Sequence, residues 1–426
     1  MVDYFVGTNL AKEEKQSKRK MLLLTSIIVN LGFLGFFKYY NFFLDNFITA
    51  FSFFGTTIKG NSLNIILPVG ISFYTFQTLS YSIDVYRHKL EPTKDFIAFS
   101  AFVSFFPQLV AGPIERATHL LPQFYKKRTF DYSKAVDGLK QILWGLFKKV
   151  VIADNCANYA NLIFNNSDNY SGSTLVLGAL FFTFQIYGDF SGYSDIAIGT
   201  ARLFGIHLMQ NFSFPYFSRD IAEFWRRWHI SLSTWFRDYL YIPLGGSRGS
   251  TLKKVRNIFI IFIVSGFWHG ANWTFIAWGT LNAIYFLPLL LLNRNRSHLN
   301  IVAQGKILPT LKEFSFMLIT FCMTVFAWIF FRAANIEHAI RIIAEIASPS
   351  IFSLPKLLLI RKLYITLILV FIFILIEWLG REQKYAIANF GLKWKRPFRY
   401  VMFYAFVILI LYFGNFSENQ FIYFQF

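Results

Sequence analysis

The sequence predicts an all-α, polytopic integral membrane protein, and three observations carry that expectation. Of the 426 residues, 55% are hydrophobic and only 15% charged, against roughly 25% charged in a soluble domain. Fifty-four Phe and ten Trp are spread along the whole chain, as lipid-facing and interfacial surfaces require. Apolar runs approaching the length a bilayer demands, about 20 residues per helix, recur from end to end.

In chain order the expected spans are Met21 to Leu44, Ile65 to Tyr86, Ile97 to Val110, Ala135 to Ala153, Ser173 to Tyr187, Ile258 to Leu292, Phe314 to Phe331, Leu357 to Leu379 and Tyr400 to Phe413. The first twenty residues are charged and hold no apolar core before a small-residue cleavage site, so insertion is expected to rest on internal spans. Pro107, Gly112 and Pro113 interrupt the stretch from Phe96 to Ile114. That stretch is expected to dip into the membrane and return, which requires protein or water around its broken backbone.

The middle third reads differently. Asp189, Asp195, Arg202, Arg219, Asp220, Glu223, Arg226, Arg227, His229, Arg237, Asp238 and Arg248 are interleaved with Trp225, Trp228, Trp235 and many other aromatics. No lipid-exposed span tolerates that density of charge, so helices lying in the interface or lining a polar cavity are expected. Glu223 and Arg227 stand four apart and predict an intrahelical pair on a solvated or interfacial face, worth about a few tenths of a kcal/mol. The three tryptophans are expected to seat that interfacial segment. With no fixed-period repeat, low-complexity tract or long linker, residues 1–426 read as a single membrane domain.

The net charge of +19 comes in short clusters between apolar runs, at Lys15 to Lys20, Lys126 to Arg128, Lys253 to Arg256 and Lys393 to Arg396. That is the positive-inside pattern and places those loops in the cytoplasm beside anionic lipid; no nucleic-acid module is visible, and no nucleic acid is expected as a partner. Cys156 and Cys322 are isolated, with no second Cys at ligand or redox spacing.

Of the seven histidines, His88, His298 and His338 lie beside polar or basic loop residues, where a surface position is the default, while His119 follows Pro113 and Glu115 in a loop and His207 ends an apolar stretch. His269 lies within IFIVSGFWHGANWTFIA, where burying an ionisable ring is costly and marks a functional candidate. Gly266 and Gly270 bracket it and let a backbone or substrate come close; Ser265 and Asn272 offer hydrogen bonds to the ring or to a developing oxyanion. The competing reading is a neutral histidine capped by a carbonyl between packed helices. A buried imidazole suits general-base attack of a hydroxyl on a carbonyl. With no G-x-S-x-G elbow, direct transfer from a bound thioester is expected in preference to an acyl-enzyme. His229, in FWRRWHIS, either orients the acceptor or is structural. No metal is expected, since neither H-E-x-x-H nor C-x-x-C occurs. IPLGGSRG, residues 242–249, reads equally as a phosphate cradle completed by Arg248 and Lys253 or as a plain interhelical loop.

At these residues the chain resembles the membrane-bound O-acyltransferase family, and within it the alginate O-acetylase branch. The matching segments are NLGFLGFFKYYNFF from Asn30, LPVGISFYTFQTLSYSID from Leu67, FFPQLVAGP from Phe105, YGDFSGYSD from Tyr187, Asn211 to Gly249 with FWRRWHISLSTWFRDYLYIPLGG, SGFWHGAN from Ser265, and the terminal FIYFQF. The resemblance implies a multi-helix fold with re-entrant and interfacial helices around a tunnel. It makes the histidine matching His269 catalytic and that matching His229 a second active residue. Acetyl-CoA is the implied donor, entering from the cytoplasm, with no tightly bound cofactor. An exported polysaccharide is the implied acceptor, reached with a periplasmic acetylase partner, and a bacterial inner membrane the implied location. Arg226, Arg227, Arg237, Arg248 and Lys253 are expected to hold the coenzyme's phosphates, with Asn272 steadying the oxyanion. Members of the branch begin with about two further apolar helices before VDYFVG, so a chain lacking them is expected.

Two other functions share features of this sequence. D-alanyl transfer to teichoic-acid polymers uses the same histidine logic, and a transporter or flippase also has broken helices and intramembrane charge. The second would need paired intramembrane carboxylates or symmetric halves, and neither is visible. A nonenzymatic assembly subunit is the third alternative.

Overall fold

A computed structural model describes residues 1–56, 58, 60–355, 360–416 and 421–422. Among them no strand occurs. The α-helices are α1 (Val2–Lys12), α2 (Gln16–Leu34), α3 (Tyr40–Phe53), α4 (Ile71–Tyr86), α5 (Phe96–Val103), α6 (Ala117–Tyr125), α7 (Tyr132–Leu146), α8 (Asp154–Asn165), α9 (Gly172–Leu203), α10 (Ile221–Arg227), α11 (Ile230–Phe236), α12 (Thr251–His269), α13 (Trp273–Leu291), α14 (Leu311–Arg332), α15 (Ile336–Ile346), α16 (Ile360–Gly380) and α17 (Arg396–Phe413). Six helical stretches among the described residues are long and apolar enough to cross a membrane, the first running from Gln16 to Phe53 through a π-helical turn. The chain is thus a multi-pass membrane protein. Many of its large apolar side chains, Phe33, Phe47, Ile368 and Leu411 among them, remain exposed, as a surface dissolved in lipid requires.

The helix starts follow the sequence's capping residues. The Asp95 carboxylate accepts from the Ile97 and Ala98 amides, Asp131 from Ser133 and Lys134, and Thr310 exchanges bonds with Glu313 in a capping box. These contacts satisfy the donors that the first turn of a helix leaves open.

Several expected spans have different limits. Only Ile71–Tyr86 of the run from Ile65 is helical, because Pro68 and left-handed Gly70 precede the first turn. The segment from Phe96 forms one short helix and then turns from Ser104 to Gly112. Ile258 to Leu292 is two helices broken at Gly270, the second capped by Asn272. The run from Leu357 begins outside the described residues, and its helix is followed from Ile360; of the terminal FIYFQF motif, only Phe421 and Ile422 are described.

The largest difference is α9. Its charges suggested an end at Tyr187, yet one buried helix continues to Leu203. Each charge meets an opposite one on the neighbouring α7 or on the π-helical turn Phe147–Ala153 that follows it. Lys149 Nζ lies 2.7 Å from Asp189, Lys148 Nζ lies 2.5 Å from Asp195, and Arg202 pairs with Asp137. Pairing removes most of the penalty that a lone buried charge would carry. The close approach this demands is made by glycine. A Cβ on Gly145 would sit 2.6 Å from the Gly192 carbonyl oxygen, and one on Gly138 would sit 2.7 Å from that of Gly199. Small residues facing each other in this antiparallel register let two backbones touch.

Candidate active site

His269 ends α12 and is 4% exposed. Its ring meets Trp268, Trp278 and Phe331 edge-on, with centroids 4.9, 5.2 and 5.2 Å away. Gly266 does bring a backbone close, that of α13: a Cβ there would lie 2.2 Å from the Phe275 carbonyl oxygen. The end of α12 is held from the π-helical turn Gly35–Tyr39 that follows α2. Lys38 Nζ donates to the carbonyls of Trp268 and His269, both at 2.9 Å, and the Tyr39 hydroxyl donates to that of Phe267 at 2.8 Å. These bonds satisfy helix-terminal carbonyls, which a buried helix end otherwise leaves unpaired.

His229 sits between α10 and α11 and is 1% exposed, at φ 45°. A left-handed backbone at a non-glycine costs about 1–3 kcal/mol and persists only where its surroundings enforce it. Asn211, fully buried, supplies that enforcement. Its backbone oxygen accepts from the Ile230 amide at 2.9 Å, and its Oδ1 lies 3.0 Å from His229 Nδ1 and 2.9 Å from the Ser231 hydroxyl. The Ser231 backbone amide, a donor only, also faces Oδ1 at 3.4 Å, while Asn211 Nδ2 donates to Ser194. The amide orientation follows, and with Oδ1 accepting, Nδ1 carries the hydrogen. The basic lone pair of neutral His229 is therefore on Nε2, which is buried and has no hydrogen-bond partner among the described residues.

Trp268 joins the two histidines, its ring centroid 6.1 Å from His229 and 4.9 Å from His269. Two cavities reach the residues around them. One of about 230 Å³ is lined by Lys38, residues 67–73, Val110 and Trp268. A smaller polar one of about 20 Å³ is lined by Asn211, Gln210, Ser194, Lys148, Asp195 and Glu377, among others. Trp268, which touches both buried imidazoles, lines the first cavity, and Asn211, the partner of His229, lines the second.

The other expected site residues lie elsewhere. Asn272 caps α13, accepting from the Thr274 amide at 3.0 Å and donating to the Ala334 carbonyl at 2.8 Å. Arg226 donates to the carbonyls of Asn295 and His298, both at 2.8 Å. Arg227 grips Glu223 and reaches the carbonyls of Ser213 and Asn300. The Glu223–Arg227 pair is made, but it is buried and not on a solvated face: Arg219 also grips Glu223, which is 1% exposed. These arginines fasten α10 to the loop before α14. Arg237 pairs with Asp238 at 2.7 Å, while Arg248 and Lys253 are exposed. The 242–249 loop is a turn whose Leu244 and Gly246 carbonyls are held by Asn257. Trp228 and Trp235 are core residues and not an interfacial seat, at 2% and 7% exposure. Trp235 stacks on Phe76 at 4.1 Å and donates to its carbonyl.

Asn211 is the residue that sequence reasoning passed over. Its signal is an amide between Gln210 and the aromatic run FSFPYF, where an unpartnered polar side chain would be costly.

The histidines and Asn211 fall inside residues 93–331, which match the membrane-bound O-acyltransferase family model. A Pseudomonas aeruginosa protein named probable alginate O-acetylase AlgI is 42% identical over 83% of this chain and 66% of its own length, just under two thirds. The Helicobacter pylori peptidoglycan O-acetyltransferase is 39% identical over 80% of this chain and 67% of its own. A Pseudomonas putida protein, also named probable alginate O-acetylase AlgI, is 37% identical over 100% of this chain and 88% of its own. This chain belongs to the membrane-bound O-acyltransferase family.

Proposed function

We propose that the chain is an O-acyltransferase that moves an acetyl group from acetyl-CoA toward hydroxyls of an exported cell-envelope polysaccharide, with His269 as general base. The observation that carries this reading is the pair of buried imidazoles joined by Trp268 beside a cavity. Relatives named for O-acetylation of alginate and of peptidoglycan support acetyl as the group and a polysaccharide as the acceptor.

In the proposed step the acceptor oxygen attacks the thioester carbonyl carbon while its proton passes to the imidazole of His269. The C–S bond breaks, and the imidazolium returns the proton to the departing thiolate. His229, its Nδ1–H directed at Asn211, presents Nε2 to receive or relay a proton. The acceptor approaches through the cavity bounded by residues 67–73, and the donor arrives from the opposite, cytoplasmic face of an inner membrane. A periplasmic acetylase partner completes delivery to the glycan.

The test is complementation. In a strain deleted for the gene, wild type restores O-acetyl content of the surface polysaccharide and His269→Ala, at equal membrane abundance, does not. Full restoration by the alanine variant would make His269 structural and remove this mechanism.

A further inference from the structure

A cavity of about 690 Å³ lies away from His229 and His269. It lies where α6, the start of α7 and the end of α9 converge. Lys126, Lys127, Arg128, Lys134, Arg202 and His207 line it. Two of these cations have acidic neighbours: Lys134 Nζ is 3.5 Å from Asp131, and Arg202 pairs with Asp137. Asp131 is in turn engaged as the cap of α7, its Oδ1 accepting from the Ser133 and Lys134 amides. Lys126, Lys127 and Arg128 are exposed and form no ion pair among the described residues.

The charge left over is positive, and His207 registers it. Its imidazole is held below the ordinary value, first by desolvation and then by Lys134, Arg202, His119 and Lys384. Phe130 and Phe204 add aromatic walls, Phe204 at 52% exposure and Phe130 at 78%. Aromatic rings next to a cluster of cations match a phosphate held at headgroup depth. They equally match a nucleotide whose base stacks while its phosphates are gripped. Neither chemistry is served by Arg226 and Arg227, whose guanidinium groups are already committed to protein acceptors.

We propose that the cavity between α6, α7 and α9 is a binding site for a phosphate ester, held by Lys126, Lys127 and Arg128. As a lipid site it stands independently of the acyl-transfer reading; as a coenzyme site it rests on that reading. Two sources share this chemistry, the headgroup of an anionic phospholipid and the phosphates of a soluble coenzyme.

The test uses the full chain purified in a nonionic detergent. It is titrated with coenzyme A and with dioctanoyl phosphatidylglycerol, dioctanoyl phosphatidylcholine serving as the zwitterionic control. Near an anionic phosphate each cation is worth roughly a factor of five. The Lys126→Ala/Lys127→Ala/Arg128→Ala variant is therefore expected to weaken binding about a hundredfold, and Lys126→Arg/Lys127→Arg/Arg128→Lys to keep it within about threefold. All three positions are exposed, so neither variant threatens folding. Loss confined to coenzyme A assigns the site to a soluble coenzyme, and loss confined to phosphatidylglycerol assigns it to lipid. No saturable binding of either anionic probe, equal binding by wild type and the alanine variant, or loss in the charge-retaining variant overturns the proposal.

Discussion

Asn211 Oδ1 lies 3.0 Å from His229 Nδ1, and the same oxygen takes the Ser231 hydroxyl from 2.9 Å. One buried amide thereby sets which imidazole nitrogen carries the hydrogen and holds the left-handed turn that presents the ring. Replacing Asn211 by Leu leaves buried donors unpaired and is predicted to destabilise the protein by about 1–3 kcal/mol per orphaned group. Turnover should fall further than the melting temperature accounts for. Asn211→Asp keeps the acceptor and should retain the ring's tautomer, visible in the nitrogen chemical shifts of labelled histidine. An Asn211→Leu protein with wild-type melting and turnover would contradict this assignment.

The Arg219–Glu223–Arg227 cluster carries a second prediction. Removing one partner from a buried ion cluster leaves uncompensated charge, which costs roughly 3–5 kcal/mol, so Glu223→Gln should sharply lower the melting temperature. Arg237→Ala breaks a pair whose arginine side chain is 59% exposed, and should change stability by about 0–1 kcal/mol. Equal effects of the two substitutions would show that burial does not separate them.

The α7–α9 contact is predicted to fail on one added methyl group. Gly145→Ala places carbon 2.6 Å from a backbone oxygen. The helices must part or the chain must strain, at a cost of about 1–3 kcal/mol. Separation also loosens Lys148–Asp195, so the loss should exceed that of Gly32→Ala, where the added carbon meets open space. Thermal melting of the two variants in the same detergent decides it.

His119 gives a pH dependence. The hydrogen bond its Nδ1–H donates to the Glu115 carboxylate, 2.6 Å away, is the main cause holding its pKa above the ordinary 6.5. A group raised on folding contributes stability that is fully present below its unfolded value and lost as pH rises through the folded one. The stability difference between wild type and His119→Gln should therefore be largest below about pH 6.5 and shrink above it. A difference that grows with pH contradicts the pairing.

What the sequence made legible follows from what each feature depends on. Hydropathy located α2, α14 and α17 because a span needs only a long apolar run, but it fused α12 and α13, whose break at Gly270 lies inside one such run. His269 stood out because an ionisable ring between apolar helices is anomalous by itself. α9 was cut short because Asp189 and Asp195 were read without Lys149 and Lys148, forty and forty-seven residues away; whether a buried charge is tolerable depends on a partner that only the fold supplies. Arg226 and Arg227 were read as open to phosphate for the same reason, their acceptors being mostly backbone carbonyls of a loop that composition does not place. Asn211 was missed because its role exists only once the chain brings it against His229.

The central claim is that His269 takes the acceptor's proton. Its most direct test is acetyl transfer from acetyl-CoA to a polysaccharide acceptor by the chain reconstituted in proteoliposomes with the periplasmic acetylase partner, comparing wild type with His269→Gln, which preserves much of the shape and removes the base. Turnover is expected to fall by about 10²–10⁴-fold, the usual contribution of a positioned acid–base group, with donor affinity and melting temperature unchanged. Turnover within about threefold of wild type would contradict it.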